Sequence, residues 1–226
     1  MMQINWYGHS CFRLRDRNGT VVTDPYGDDI GYTLPRIRAD VVTVTHDHPD
    51  HANVKAIKGN PQVIYGPGEY EIKGIFVIGI PAQPPETETK LGVRNTVYLF
   101  DFEGVTVCHL GDLSRVLTQS QIEEVGDVDV LLIPVGGGTT LGASEAAEVI
   151  SLLEPRIVIP MHYKTEHLKG VKLAPVEHFL KEMGLKEVTP IDVLKVTESS
   201  LPEETQVMLM EVTGAGAAAT EGTESD

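Results

Sequence analysis

The sequence predicts a mixed α/β fold in which two β-sheets pack face to face with helices outside, and three observations predict it. The first third of the chain is dominated by short, β-branched runs. After residue 115 the texture changes to strands alternating with segments of helical spacing. Strands outnumber helices over the whole chain.

Taken in order, Gln3 to Tyr7, Ser10 to Arg15, Thr20 to Asp24 and Asp40 to Thr45 read as strands. Asn18-Gly19 is a two-residue hairpin signal, so an antiparallel start is expected. Gln62 to Tyr65, Ile75 to Ile80, Thr96 to Phe102 and Val105 to His109 follow as apolar runs separated by Gly and Pro, with Glu103-Gly104 turning another hairpin. In the second half the strands Asp129 to Ile133 and Arg156 to Pro160 alternate with helices over Gly142 to Leu153 and Val176 to Met183. Residues 1–212 read as a single domain. Residues 213–226 are small and polar with nothing to bury, and read as a disordered tail.

The 226-residue chain is 41% hydrophobic and 23% charged, the composition of a chain that buries a core. A net charge of -15 argues against nucleic acid as a partner, because neutralising phosphates takes clustered Lys and Arg. Part of the acidity reads as an appetite for cations, since several carboxylates stand beside histidines. Cys11 and Cys108 lack CxxC spacing and suit a reducing compartment. With no secretion signal and no run of about eighteen apolar residues, the expected location is cytoplasmic, with no membrane partner.

The strand Asp40 to Thr45 delivers the chain to His46-Asp47-His48-Pro49-Asp50-His51. Imidazoles and carboxylates are borderline ligands that suit zinc, and also manganese or iron. His46 and His48 can point together at one ion, and Asp50 and His51, past the turn at Pro49, at a second. The competing reading is a solvated loop in which Asp50 caps a helix over Ala52 to Lys58. Three histidines and an aspartate at HxHxDH spacing favour the metal.

At these residues the chain resembles the metallo-β-lactamase superfamily, whose first metal motif is HxHxDH. Gly111-Asp112-Leu113 looks like its bridging-aspartate motif and Pro160-Met161-His162-Tyr163-Lys164 like its terminal histidine motif. Trp6-Tyr7-Gly8-His9-Ser10 with Val22-Thr23-Asp24-Pro25 resembles the opening of the branch that includes ascorbate-6-phosphate lactonase. The resemblance covers about residues 4 to 185 and implies a four-layer αββα sandwich. It further implies two divalent metal ions, zinc first among them: His46 and His48 on the first, Asp50, His51 and His162 on the second, and Asp112 bridging.

The family usually supplies a further histidine to the first metal from the region just before the strand Asn95 to Phe102. Here that region reads Ile80-Pro81-Ala82-Gln83-Pro84-Pro85-Glu86. Gln83 is the nearest polar residue, so water completes the site, the site is weak, or His109 substitutes. His9, Asp24 and His109 are read as supporting partners of the ligands. Lys164, at the cleft rim, is read as a solvated lysine or as the holder of an anionic substrate. His167 and His178 read as surface residues. The run Val135-Gly136-Gly137-Gly138-Thr139-Thr140 lacks a Walker ending and reads as a flexible loop.

The implied activity is hydrolysis of an ester, lactone or phosphodiester by a metal-bound hydroxide, with Asp50 as catalytic residue as well as ligand. The partner is then a small-molecule substrate of anionic character, and a homo-oligomer is left open. A non-haem di-iron oxidoreductase and a degenerate metal-binding scaffold without catalysis are the alternatives.

Overall fold

The computed structural model describes residues 1–82 and 94–214. Gln83 and the predicted tail beyond Gly214 lie outside the described residues. The chain runs through β1 (Met2–Trp6), β2 (Phe12–Arg15), β3 (Thr20–Thr23), β4 (Val41–Val44), β5 (Gln62–Tyr65), β6 (Gly68–Ile72), β7 (Ile75–Pro81), β8 (Thr96–Phe102) and β9 (Val105–His109). It continues through α1 (Gln119–Val125), β10 (Val130–Pro134), α2 (Ala143–Leu153), β11 (Ile157–Met161), α3 (Val176–Glu182), β12 (Leu194–Val196) and β13 (Gln206–Val207). One sheet has the order β12-β1-β2-β3-β4-β5 and the other β13-β11-β10-β9-β8-β7-β6.

The period-two alternation of β3 and β4 explains their unbroken valine runs. Val21 and Val41 face the second sheet, where they join one core with Val77, Val97 and Phe100. Val22, Val42 and Val44 face the other way, into a second cluster with Tyr26, Tyr32, Ile37 and Ile57. A strand buried on both faces has no polar side to show, hence the runs Val21-Val22-Thr23 and Val41-Val42-Thr43-Val44. The sandwich of two sheets with helices outside is the predicted architecture. Among the described residues, three α-helices pack on the core beside the second sheet, and the outer face of the first is covered by loops and single 3₁₀ turns.

Several local details differ from the sequence reading. The start is antiparallel through β1, β2 and β3, but β3 and β4 pair in parallel. The hairpin at Asn18-Gly19 forms, yet Asp16 builds its turn by accepting from the Asn18 and Gly19 N–H groups at 2.8 and 3.0 Å. Glu103-Gly104 is the predicted tight hairpin, with both residues at positive φ (54° and 83°). Lys73-Gly74 repeats it at 55° and 76° and joins β6 to β7, a strand pair whose first member the sequence reading omits. It also omits α1, whose start is a capping box between Thr118 and Gln121.

Strand direction positions the site. β1, β3 and β4 run the same way in the first sheet, and β9, β10 and β11 are mutually parallel in the second. The residues that follow the carboxyl ends of β1, β3, β4, β9 and β11 are His9, Asp24, His46, Asp112 and His162. In open α/β sheets the crevice at the carboxyl ends of strands is where ligands bind.

Candidate metal centre

Beyond β4 the chain turns sharply. The His48 carbonyl accepts from both His51 N–H and Ala52 N–H at 2.9 Å, around Pro49, whose fixed φ suits the turn. No helix follows over Ala52 to Lys58. A single 3₁₀ turn, Val54–Ala56, starts from Asn53 without a side-chain cap, so Asp50 caps nothing. Asp50 instead faces histidines: its Oδ1 meets His48 Nδ1 and lies 3.6 Å from His51 Nε2, and its Oδ2 lies 3.3 Å from His9 Nε2.

Asp112 stands at the centre. Its Oδ1 is 3.4 Å from both His51 Nε2 and His162 Nε2, and its Oδ2 is 3.9 Å from His46 Nε2. These separations are long for hydrogen bonds, and His51 Nε2 and Asp112 Oδ1 are buried without a hydrogen-bond partner. Two donors each about 2.0–2.1 Å from one tetrahedral ion lie about 3.4 Å apart, so the spacing is that of ligands around a cation. The donor set, imidazole and carboxylate with both cysteines buried elsewhere, fits the borderline metals.

The tautomers are set for binding. Asp24 accepts Thr45 N–H at Oδ1 (2.8 Å), and at Oδ2 it accepts the Thr45 hydroxyl (2.6 Å) and His51 Nδ1–H (2.8 Å). With its own proton given to Asp24, the Thr45 hydroxyl accepts from His46 Nδ1 at 3.1 Å. Both imidazoles therefore turn an unprotonated Nε2 toward Asp112, the arrangement by which supporting partners orient metal-bound histidines. His109 does not join them: its Nε2 donates to the Ser10 carbonyl at 3.0 Å, and it belongs to none of the clustered donor groups.

Backbone geometry locks these positions. His9, Asp24 and His162 all have positive φ (52°, 38° and 51°), uncommon for residues with a side chain and typical of functional sites. Gly111 (φ 56°) is required, because a Cβ there would lie 2.7 Å from Thr45 Cβ and strike the Asn95 amide. That amide accepts from Asp112 N–H (3.0 Å) and donates to the Leu110 carbonyl (2.8 Å), spanning Gly111. A Cβ at Gly136 would collide with the His162 carbonyl, so the glycine run lets the backbone approach His162.

Burial governs the protonation states. It drives the His51 and His162 imidazoles well below their ordinary range, helped by neighbouring histidines, so both are neutral near pH 7. It lowers His109 as well, and raises Asp24 against the pull of His109, His46 and Thr45. It pushes Asp112 up to about 7, His46 opposing and Asp24 and Asp50 assisting. Burial would raise Asp50 too, but His9, His51 and His48 outweigh it and hold that carboxyl well below the usual range.

A cavity of about 210 Å³ opens beside His48 and Asp50, with Gly27, Ile30, Lys169 and Val171 among its lining. Lys164 is exposed, its backbone N–H bonded to the Ala174 carbonyl at 2.9 Å, and it does not line this cavity. His178 is exposed as expected, whereas His167 is half-buried beside Tyr32. Thr45 and Asn95 carry structural roles that no motif in the sequence marks.

Comparison with known proteins adds the following. A family model described as a beta-lactamase superfamily domain matches residues 3–162. A UPF0173 metal-dependent hydrolase of Thermococcus onnurineus is 29% identical over 195 residues, spanning 73% of this chain and 86% of that protein. A UPF0173 protein of Pyrococcus furiosus is 30% identical over 210 residues, 83% of this chain and 93% of that protein. A solved structure from Thermotoga maritima, described as a candidate Zn-dependent hydrolase of the metallo-beta-lactamase superfamily, superposes with a TM-score of 0.78. It is 42% identical, over 93% of this chain and 98% of that one.

Proposed function

The chain belongs to the beta-lactamase superfamily and is a metal-dependent hydrolase, and from that premise we propose that it cleaves an ester, lactone or phosphodiester in a small anionic substrate. The observation that carries the reading is the convergence of His46, His51 and His162 Nε2 on the two oxygens of Asp112 at 3.4 to 3.9 Å. His46 and His48 would hold one divalent ion and Asp50, His51 and His162 another, with Asp112 facing both; zinc is the metal the donor set favours. A divalent ion bound there would lower the pKa of a water and polarise the scissile group.

The chain's own residues supply the remaining work. Asp50, ionised at neutral pH, is positioned beside the cavity to accept a proton from the attacking water. Asp24 and Thr45 keep His51 and His46 in the ligating tautomer. His48 stands where di-iron members of the superfamily tend to carry a glutamate, which disfavours the oxidoreductase alternative.

The test is elemental analysis of the purified protein, then assay with nitrophenyl ester, lactone, thioester and bis(nitrophenyl) phosphate substrates in the metal found. Turnover that disappears together with the metal that His46 and His48 would hold, in the His46→Ala, His48→Ala double variant, supports the reading. Unchanged turnover in that variant overturns it.

A further inference from the structure

His9 is unexplained by the ligand set above. It is 1% exposed, and both its ring nitrogens are buried without a hydrogen-bond partner. An unsatisfied buried polar group costs about 1–3 kcal/mol, so a folded protein that keeps one has a use for it. The residue is also held firmly. Its carbonyl accepts from Trp6 Nε1 at 3.0 Å and from His162 N–H at 3.2 Å, and its backbone sits at φ 52°. The preceding Gly8 (φ 96°) packs against the Tyr32 ring, where no Cβ would fit.

The His9 ring centroid is 4.3 Å from that of His162 and 4.8 Å from that of His51, with the planes inclined at 38° and 58°. One ring nitrogen from each of the three lies within 4.8 Å of the other two. All three imidazoles are buried, and the His9 ring lies between the other two, whose centroids are 6.1 Å apart with planes inclined at 27°. His9 Nε2 is 3.3 Å from Asp50 Oδ2, again the separation of two donors on one ion. The other side of the centre is looser: the His46 ring lies 4.2 Å from that of His51 and shares Asp112 with it, but His48 is grouped only with His46 and Asp50, and its side chain is 47% exposed.

We propose that His9 is a direct ligand of the inner metal position, completing a His9, His51, His162 face backed by Asp50 and Asp112. The inner position then fills first and the outer one, at His46 and His48, second. The inference rests on the metal-centre reading of the preceding subsection, and its test separates the two.

The protein is stripped with a chelator and titrated with zinc, and the imidazole nitrogens around the first equivalent are counted by X-ray absorption. Asn and Gly both tolerate positive φ, so His9→Asn and His9→Gly keep the backbone and guard each other against misfolding. In either variant the count is expected to fall by one relative to the unaltered protein. Affinity for the first equivalent should drop by more than the roughly 10–100-fold typical of a supporting residue. His178→Ala, at an exposed histidine outside the centre, should leave both unchanged. An imidazole count that stays the same in the His9 variants overturns the inference and makes His9 a positioning residue for Asp50. Failure of the unaltered protein to take up zinc, manganese or iron would instead overturn the metal-centre reading itself, and this inference with it.

Discussion

The inner and outer sides of the centre are held by different means. On the inner side the His51 side chain is fully buried, its Nδ1 is tied to Asp24 at 2.8 Å, and Asp24 is tied in turn to the backbone and hydroxyl of Thr45. On the outer side the His48 side chain is 47% exposed, and its Nδ1 faces Asp50, itself a proposed donor. The inner ligands are thus oriented before any ion arrives, whereas the outer position must rearrange a His48–Asp50 contact to fill. Pre-organisation lowers the cost of binding, so the two positions should differ in affinity, and the exposed side is the one open to substrate.

The largest effect is expected where the two sides meet. Asp112 turns one oxygen to each side, so Asp112→Ala should weaken both zinc equivalents by more than about 100-fold and abolish turnover. Isothermal titration with zinc, alongside the ester assay, checks this; a variant that loses only one equivalent would break the symmetry assigned to Asp112. Asp24→Asn comes next and should strike the inner side. The amide that replaces Oδ2 presents an N–H to His51 Nδ1, forcing the His51 proton onto Nε2, where it blocks ligation. A loss of about 10–100-fold in the first equivalent is expected. Equal weakening of both equivalents would mean that the sides are not independently organised.

Acidification should affect both sides through Asp112, which faces both. Asp112 is pushed up to about 7 by burial, while His51 and His162 are driven well below their ordinary range. As pH falls below about 7, Asp112 takes up a proton that an incoming ion must displace, whereas the two imidazoles remain unprotonated. Zinc affinity of the stripped protein should therefore be flat above pH 7 and fall about tenfold per pH unit just below it. A two-proton slope over that interval would show that histidines titrate as well.

How much of this was legible in the sequence follows from how local each signal is. His46 to His51 and Gly111-Asp112 lie in short segments whose spacing is itself the signal, and the valine runs before them announce strands buried on both faces. The fold class and the cluster of proposed ligands were therefore readable. His9 could be placed near the site but not against His162, because that approach joins the ends of strands on different sheets, 153 residues apart in the chain, through His162 N–H and the His9 carbonyl. Asn95 was read only as a strand boundary, since nothing in its neighbours marks an amide that spans Gly111. The Lys73-Gly74 turn was missed because lysine is a weak signal for positive φ, and α1 because seven residues carry too little periodicity. Lys164 drew attention by its nearness in sequence to His162, yet the chain turns away after it and brings Lys169 to the cavity.

That exchange of lysines gives the smallest predicted effect and bears on the outer side alone. Lys169 is anchored through its N–H to the Ile30 carbonyl at 2.8 Å, and it lines the cavity that holds His48 and Asp50. Because its side chain is exposed, its attraction for a substrate anion is screened by water, and Lys169→Ala should raise KM for an anionic ester only about two- to fivefold. The KM for a neutral ester of the same leaving group, and zinc uptake at both equivalents, should not move. Lys164→Ala should change none of the three. If instead Lys164→Ala alone raised KM for the anionic ester, substrate would enter past β11, on the inner side. The division of the centre into an organised binding side and an open substrate side would then have to be reversed.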